Sequence, residues 1–128
     1  MGQSKPLSRS TALVVEDDDE QRFLSATLFE ESDFDVIECA SAEAALAVLQ
    51  EKQDGVTLVF TDVALAGRMD GVDLANAVHA DRPDVAVIVT SGVAGERVSD
   101  LANGVAFMPK PWRPLDLLVW AERARARD

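Results

Sequence analysis

Tyrosine is absent from the chain, cysteine and histidine occur once each, and basic residues are outnumbered, 12 against 23 acidic ones. Each shortage excludes something. With Cys39 alone there is no intramolecular disulfide, in keeping with a reducing cytoplasm as the expected location. Cys39 itself reads as a small apolar packing residue. The lone histidine, His79, falls in a helical stretch as a surface or boundary residue and is given no catalytic role. A net charge of −11 denies the chain the basic footprint that nucleic acid or an anionic membrane requires. No apolar run approaches a membrane span, and the opening MGQSKPLSRST lacks the apolar core of a signal peptide.

What the chain does have is a core. Of its 128 residues, 48% are hydrophobic, enough for one domain and too many for a disordered acidic tail. Residues 1–10 are expected to form a flexible leader and residues 11–127 a single domain, with no output domain. The acidic balance reverses from Pro109 onward. There Lys110, Arg113, Arg123, Arg125 and Arg127 stand against Asp116, Glu122 and Asp128, five against three, leaving +2.

Short β-branched runs alternate with helical patterns. ALVV at 12–15, VTLVFT at 56–61 and VAVIVT at 85–90 are nearly continuous, as strands buried on both faces are. DVIEC at 35–39 alternates, as an edge strand does, and VAFM at 105–108 is short. Between them the sequence predicts helices over 20–31, with an apolar face of Phe23, Leu24, Thr27 and Leu28, and from the N-cap Ser41 through an Ala- and Leu-rich run. Others are expected over 72–80, ended by Asp81-Arg82-Pro83, over 96–103 before Asn103-Gly104, and over 114–127. Five alternations imply an α/β fold with a parallel sheet covered by helices on both faces. In such folds ligands bind at the carboxyl ends of the strands.

That rule makes the residue after each strand informative. The first strand runs into VVEDDDE, where five carboxylates from Glu16 to Glu20 crowd behind two valines. Alone, Glu16 and Asp17 could be a capping cluster. The third strand delivers Asp62, the fourth Thr90 and Ser91, and the last Lys110. Converging carboxylates repel unless a cation joins them, and a hard divalent ion such as Mg2+ accepts oxygen ligands while keeping waters. A carboxylate neutralised in this way can attack phosphorus and form an acyl phosphate. A lysine and a hydroxyl would then pair with the phosphoryl oxygens, since phosphoryl transfer depends mainly on positioning and charge neutralisation. Thr90 is favoured over the adjacent Ser91 for the hydroxyl.

VVEDD, LVFTD, MDGVDLA, VIVTSG and FMPKPW, in that order and spacing, resemble the receiver domain of two-component response regulators from about residue 11 to 127. The resemblance implies a flavodoxin-like, doubly wound five-stranded sheet of order 2-1-3-4-5 with five helices. It implies Asp62 as phosphoacceptor, assisted by Lys110 and Thr90, and Mg2+ held by Glu16, Asp17, Asp62 and the backbone carbonyl of Ala64. It also implies a cis bond between Lys110 and Pro111. Thr90 and Phe107 would form the switch, with phenylalanine where tyrosine is commoner, so that no hydroxyl is offered there. The implied donor is a sensor histidine kinase or a histidine phosphotransfer protein. The implied output surface is the face of the fourth helix, fifth strand and fifth helix, which would bind a downstream protein or a second copy in a homodimer.

Some positions depart from the family. The loop VALAGRMDG is about one residue longer than usual, Ala66 replaces a common proline, and residues 92–103 are short and contain Gly92 and Gly95. Ala64 and Gly92, where relatives orient the attacking water, offer no side-chain hydrogen bond, so phosphoaspartate lifetime is expected to follow from buried geometry alone. Two other readings are weighed. A pseudo-receiver would bind partners without phosphorylation, but it tends to lose one of the five polar residues kept here. A Mg2+-dependent phosphatase of the haloacid-dehalogenase type would place its nucleophile after the first strand and need a longer chain.

Overall fold

The computed structural model describes residues 10–51, 55–92 and 97–126, with Arg125 and Ala126 described by their backbone only. The expected leader, apart from Ser10, lies outside the described residues, as do Arg127 and the side chain of Arg125. The β-branched runs form five parallel strands, β1 (Thr11–Val15), β2 (Asp35–Cys39), β3 (Val56–Asp62), β4 (Ala86–Ser91) and β5 (Ala106–Pro109), in the order β2-β1-β3-β4-β5. Among the described residues four helices cover the sheet: α1 (Asp19–Glu31), α2 (Ala42–Glu51), α3 (Gly71–Asp81) and α4 (Pro114–Ala126). This is, among the described residues, the expected order with one helix fewer. No helix among the described residues is long and apolar enough to cross a membrane.

The three central strands are continuous apolar runs because both of their faces are buried. Leu13, Val15, Val59, Val87 and Val89 point toward Ala42, Ala45 and Leu49 of α2 and Leu74, Ala75 and Val78 of α3. Ala12, Val14, Leu58, Phe60 and Ile88 point the other way, toward Leu28 and Phe29 of α1 and Leu117, Ala121 and Ala124 of α4. The rings of Phe29, Phe34 and Phe60 meet there at centroid distances of 5.4–5.8 Å, favourable for offset or edge contacts.

Two expectations are corrected. The apolar face assigned to α1 included Phe23 and Leu24, yet these side chains are 67% and 51% exposed. The buried residues are Ser25, Ala26, Leu28 and Phe29. At about 100° per residue these lie on one stripe, and the small Ser25 and Ala26 let the helix approach closely enough for Phe29 to fill the space. The helix expected over 96–103 is a single 3-10 turn, Val98–Asp100. Its residue 96 lies outside the described residues. Arg97 has φ +51, a left-handed conformation that no α-helix passes through, and Leu101 is already extended. Ser99, Asp100 and Asn103 are weak helix formers, and Gly104 at φ +100 turns the chain toward β5.

Arg97 fixes this connection through charge. Its guanidinium donates to Asp70 at 2.8 Å, Asp73 at 3.1 Å and Asp100 at 3.1 Å. Asp70 and Asp73 also form a reciprocal capping box at the start of α3. The chain leaving β4 is thereby tied to the helix that begins just after β3.

Candidate functional site

Parallel pairing sets β1, β3 and β4 side by side and brings their carboxyl ends to one edge. Asp62 is directly opposite Thr90 in the ladder. Glu16 follows β1, anchored by its amide to the Cys39 carbonyl at 3.0 Å. Lys110 follows β5, its amide donating to the Ser91 carbonyl at 2.9 Å, and the Lys110–Pro111 bond is cis as expected. The ends of four strands thus supply the site, which opens into a cleft of about 280 Å3 lined by Glu16, Gln21, Thr90, Lys110, Pro111 and Trp112 among others. A larger cleft, about 440 Å3, lies away from these groups between α2 and α3.

Within the site Lys110 Nζ lies 3.0 Å from Asp62 Oδ2 and 3.9 Å from Glu16 Oε1. Asp62 Oδ1 accepts from the Ala64 amide at 3.3 Å. Asp17 is turned toward the β3–α3 loop, where its Oδ2 accepts from the Ala66 amide at 3.1 Å. Thr90 is buried, and its hydroxyl has no hydrogen-bond partner among the described residues. A buried hydroxyl without a partner is unusual; here it stands beside Asp62. Phe107 is half-buried on β5, packed against the core on the α2–α3 side. Trp112 is half-buried against Phe60, at a centroid distance of 6.0 Å.

Burial pushes the Glu16 carboxyl up to about 7; the Asp18 amide that donates to it opposes the shift, and the neighbouring Asp62 charge adds to it. The folded value exceeds the ordinary 4.5, so between pH 4.5 and about 7 the folded chain holds more protons than the unfolded one. Stability without divalent metal should therefore fall as pH rises through that window and level off above it. Melting temperatures recorded against pH in a chelator would show this slope in the wild type and a flatter one in Glu16→Gln. An equal slope in both would remove Glu16 as its source.

The donor set suits a hard cation. Glu16, Asp17 and Asp62 are all oxygen ligands, and a cation beside them would favour the ionised form of the Glu16 carboxyl, which burial first and the Asp62 charge after it hold up. No three such side chains among the described residues form a closed metal cage; Asp17 is bonded to the Ala66 amide, and Lys110 lies 3.0 Å from Asp62 and 3.9 Å from Glu16. That suits an ion held by one or two carboxylates and its own waters, as Mg2+ is.

Residues 12–120 match the family described as the response regulator receiver domain. The chain belongs to that family. This receiver domain is 31% identical over 106 residues to the sensor kinase CckA of Brucella abortus (strain 2308), covering 80% of this chain and 11% of that protein. It is 30% identical over 119 residues to the two-component response regulator ARR14 of Arabidopsis thaliana, covering 90% of this chain and 31% of that one. It therefore spans less than a third of either curated relative. The crystal structure of the receiver domain of NtrX from Brucella abortus superposes with a TM-score of 0.80 at 30% identity, over 91% of this chain and 99% of that one.

Four residues around the receiver's site escaped the sequence reading. Gln21 Oε1 accepts from Lys110 Nζ at 3.0 Å. Arg22 donates to the Glu16 carbonyl at 2.8 Å, to Asp19 at 2.6 Å and to Glu38 of β2 at 3.2 Å, pinning the acidic loop to its neighbouring strand. Gly71 lies so close to β3 that a Cβ on it would come 1.8 Å from the Asp62 carbonyl oxygen. Arg97 holds the α3 cap. Only Gln21 carried a usable signal, since Asp18-x-x-Gln21 has the spacing of a capping box.

Proposed function

We propose that this receiver takes a phosphoryl group from the phosphohistidine of a sensor histidine kinase or histidine phosphotransfer protein onto Asp62. One carboxylate oxygen of Asp62 attacks phosphorus, the P–N bond breaks, and the departing imidazole nitrogen is protonated. The observation that carries this reading is the triangle at the sheet edge. Lys110 lies 3.0 Å from Asp62, and Thr90, whose hydroxyl has no partner among the described residues, lies opposite Asp62 in the ladder. Lys110 would pair with one phosphoryl oxygen and Thr90 would donate to another. Mg2+, held by Glu16, Asp17, Asp62 and the Ala64 carbonyl, would supply neutralising charge to the incoming phosphoryl group. Phosphorylation would be relayed through Thr90 and Phe107 to a downstream protein on the face of β5 and α4, where Val119 is exposed and Arg123 lies over Trp120 at 5.7 Å. A second copy of the chain could use the same face.

The test is intact-protein mass spectrometry after incubation with Mg2+ and phosphoramidate, a small phosphodonor. One phosphoryl group should appear per chain, and chelation of the metal should reduce the gain to background. No gain in the presence of Mg2+ would overturn the reading and favour phosphorylation-independent partner binding.

A further inference from the structure

Gln21 occupies the third position of α1. Asp18, the N-cap, makes the first half of a capping box by accepting from the Gln21 amide at 2.9 Å. In the second half, the side chain at this position normally reaches back to the N-cap amide. Here the Asp18 amide is already used, donating to Glu16 Oε2 at 3.0 Å. The Gln21 carboxamide is thus released from capping, and its Oε1 accepts from Lys110 Nζ at 3.0 Å. The ammonium lies between this oxygen and Asp62 Oδ2, also at 3.0 Å, with Glu16 Oε1 farther off at 3.9 Å.

We infer that Gln21 is a positioning residue for phosphoryl transfer, holding the Lys110 ammonium beside Asp62 and away from Glu16. The inference rests on Asp62 being the phosphoacceptor. A lysine has a flexible four-carbon stem and three rotatable donors, so its charge needs a second contact to fix where it stands. The chemical type of that contact matters. Glu16, Asp17 and Asp62 already crowd the site, and a fourth carboxylate would compete with phosphoryl oxygens for the ammonium. A carboxamide oxygen directs the lysine without adding charge. Glu16 has a linked part, because by occupying the Asp18 amide it leaves Gln21 free.

Gln21→Met tests this, since methionine matches glutamine in length and helix propensity but provides no strong acceptor. Two readings are needed, the rate of phosphorylation by phosphoramidate with Mg2+ and the Lys110 15Nζ ammonium signal by NMR, assigned by its loss in Lys110→Met. Gln21→Met should lower the rate about 3- to 10-fold, the scale of one ordinary, solvent-exposed hydrogen bond. It should also weaken the protected ammonium signal, with melting temperature and Mg2+ affinity unchanged. Gln21→Glu should restore the signal but not the rate, separating position from charge. A wild-type rate in Gln21→Met would overturn the positioning role alone, as would a slowing matched by an equal loss of Mg2+ affinity. Failure of the wild type to take any phosphoryl group would instead overturn the reading of Asp62 on which it rests.

Discussion

Asp62→Asn is expected to take phosphoryl uptake from one group per chain to none while leaving the domain folded. A carboxamide is too weak a nucleophile to form an acyl phosphate, so the chemical loss should be complete. The structural loss should be small. Asparagine has the same shape, and its oxygen can still accept from the Ala64 amide, now bonded to Asp62 at 3.3 Å. Lys110 keeps Gln21 at 3.0 Å and has Glu16 at 3.9 Å to take over its charge pairing. A stability change under about 1 kcal/mol follows. The variant should be examined by mass spectrometry with Mg2+ and phosphoramidate and by urea unfolding. Uptake that persists would move the acceptor to Glu16 or Asp17. A collapsed urea midpoint would make Asp62 a structural residue first.

Gly71→Ala should be the most damaging single-methyl change at the site. Its added Cβ would stand 1.8 Å from the Asp62 carbonyl oxygen, 2.6 Å from the Asp62 carbonyl carbon and 2.9 Å from Val63 Cα. All three are backbone atoms, so no side chain can rotate aside. The Gly71 amide also donates to the Val63 carbonyl at 2.8 Å, and any retreat of α3 stretches that bond. The expected loss is about 3 kcal/mol or more, read as a fall in the urea midpoint. Phosphoryl uptake should fall with it, because the displaced segment contains Ala64 and the Ala66 amide that holds Asp17. Gly92→Ala is the control: its nearest neighbour would be Lys110 Cδ at 3.8 Å, an ordinary contact. Near-equal stability of the two variants would refute the close-approach argument.

The central strands were legible because burial on both faces leaves a continuous β-branched run. The strand β2 was legible because an edge strand is only partly covered, leaving half-buried Val36 and Ile37, on opposite faces, between exposed Asp35 and Glu38. Asp62, Thr90, Glu16 and Lys110 could be placed because the fold sends every strand's carboxyl end to one edge, so chain position stands in for spatial position. Helix burial was harder to read. Phe23 and Leu24 look like core residues, yet the stripe that packs is set by Phe29 and by the small Ser25 and Ala26, a matter of interlayer spacing that hydrophobicity does not encode. The connection after β4 misled for another reason. Arg97 adopts a left-handed conformation in the company of three carboxylates brought together from two parts of the chain, and no local propensity anticipates such a cluster. The roles of Gln21 and Arg22 depend on partners distant in the sequence, Lys110 just after β5 and Glu38 on β2.

The two outer strands of the sheet bear on how copies of the chain can associate. β5 is four residues long and ends in Pro109, which has no N–H to offer a neighbouring strand. β2, at the opposite edge, presents exposed Asp35 and Glu38, and a like strand laid against it would meet the same charges. Short, proline-ended and charged borders of this kind resist edge-to-edge sheet extension. A rise in concentration should therefore not by itself draw the sheets into a continuous ribbon.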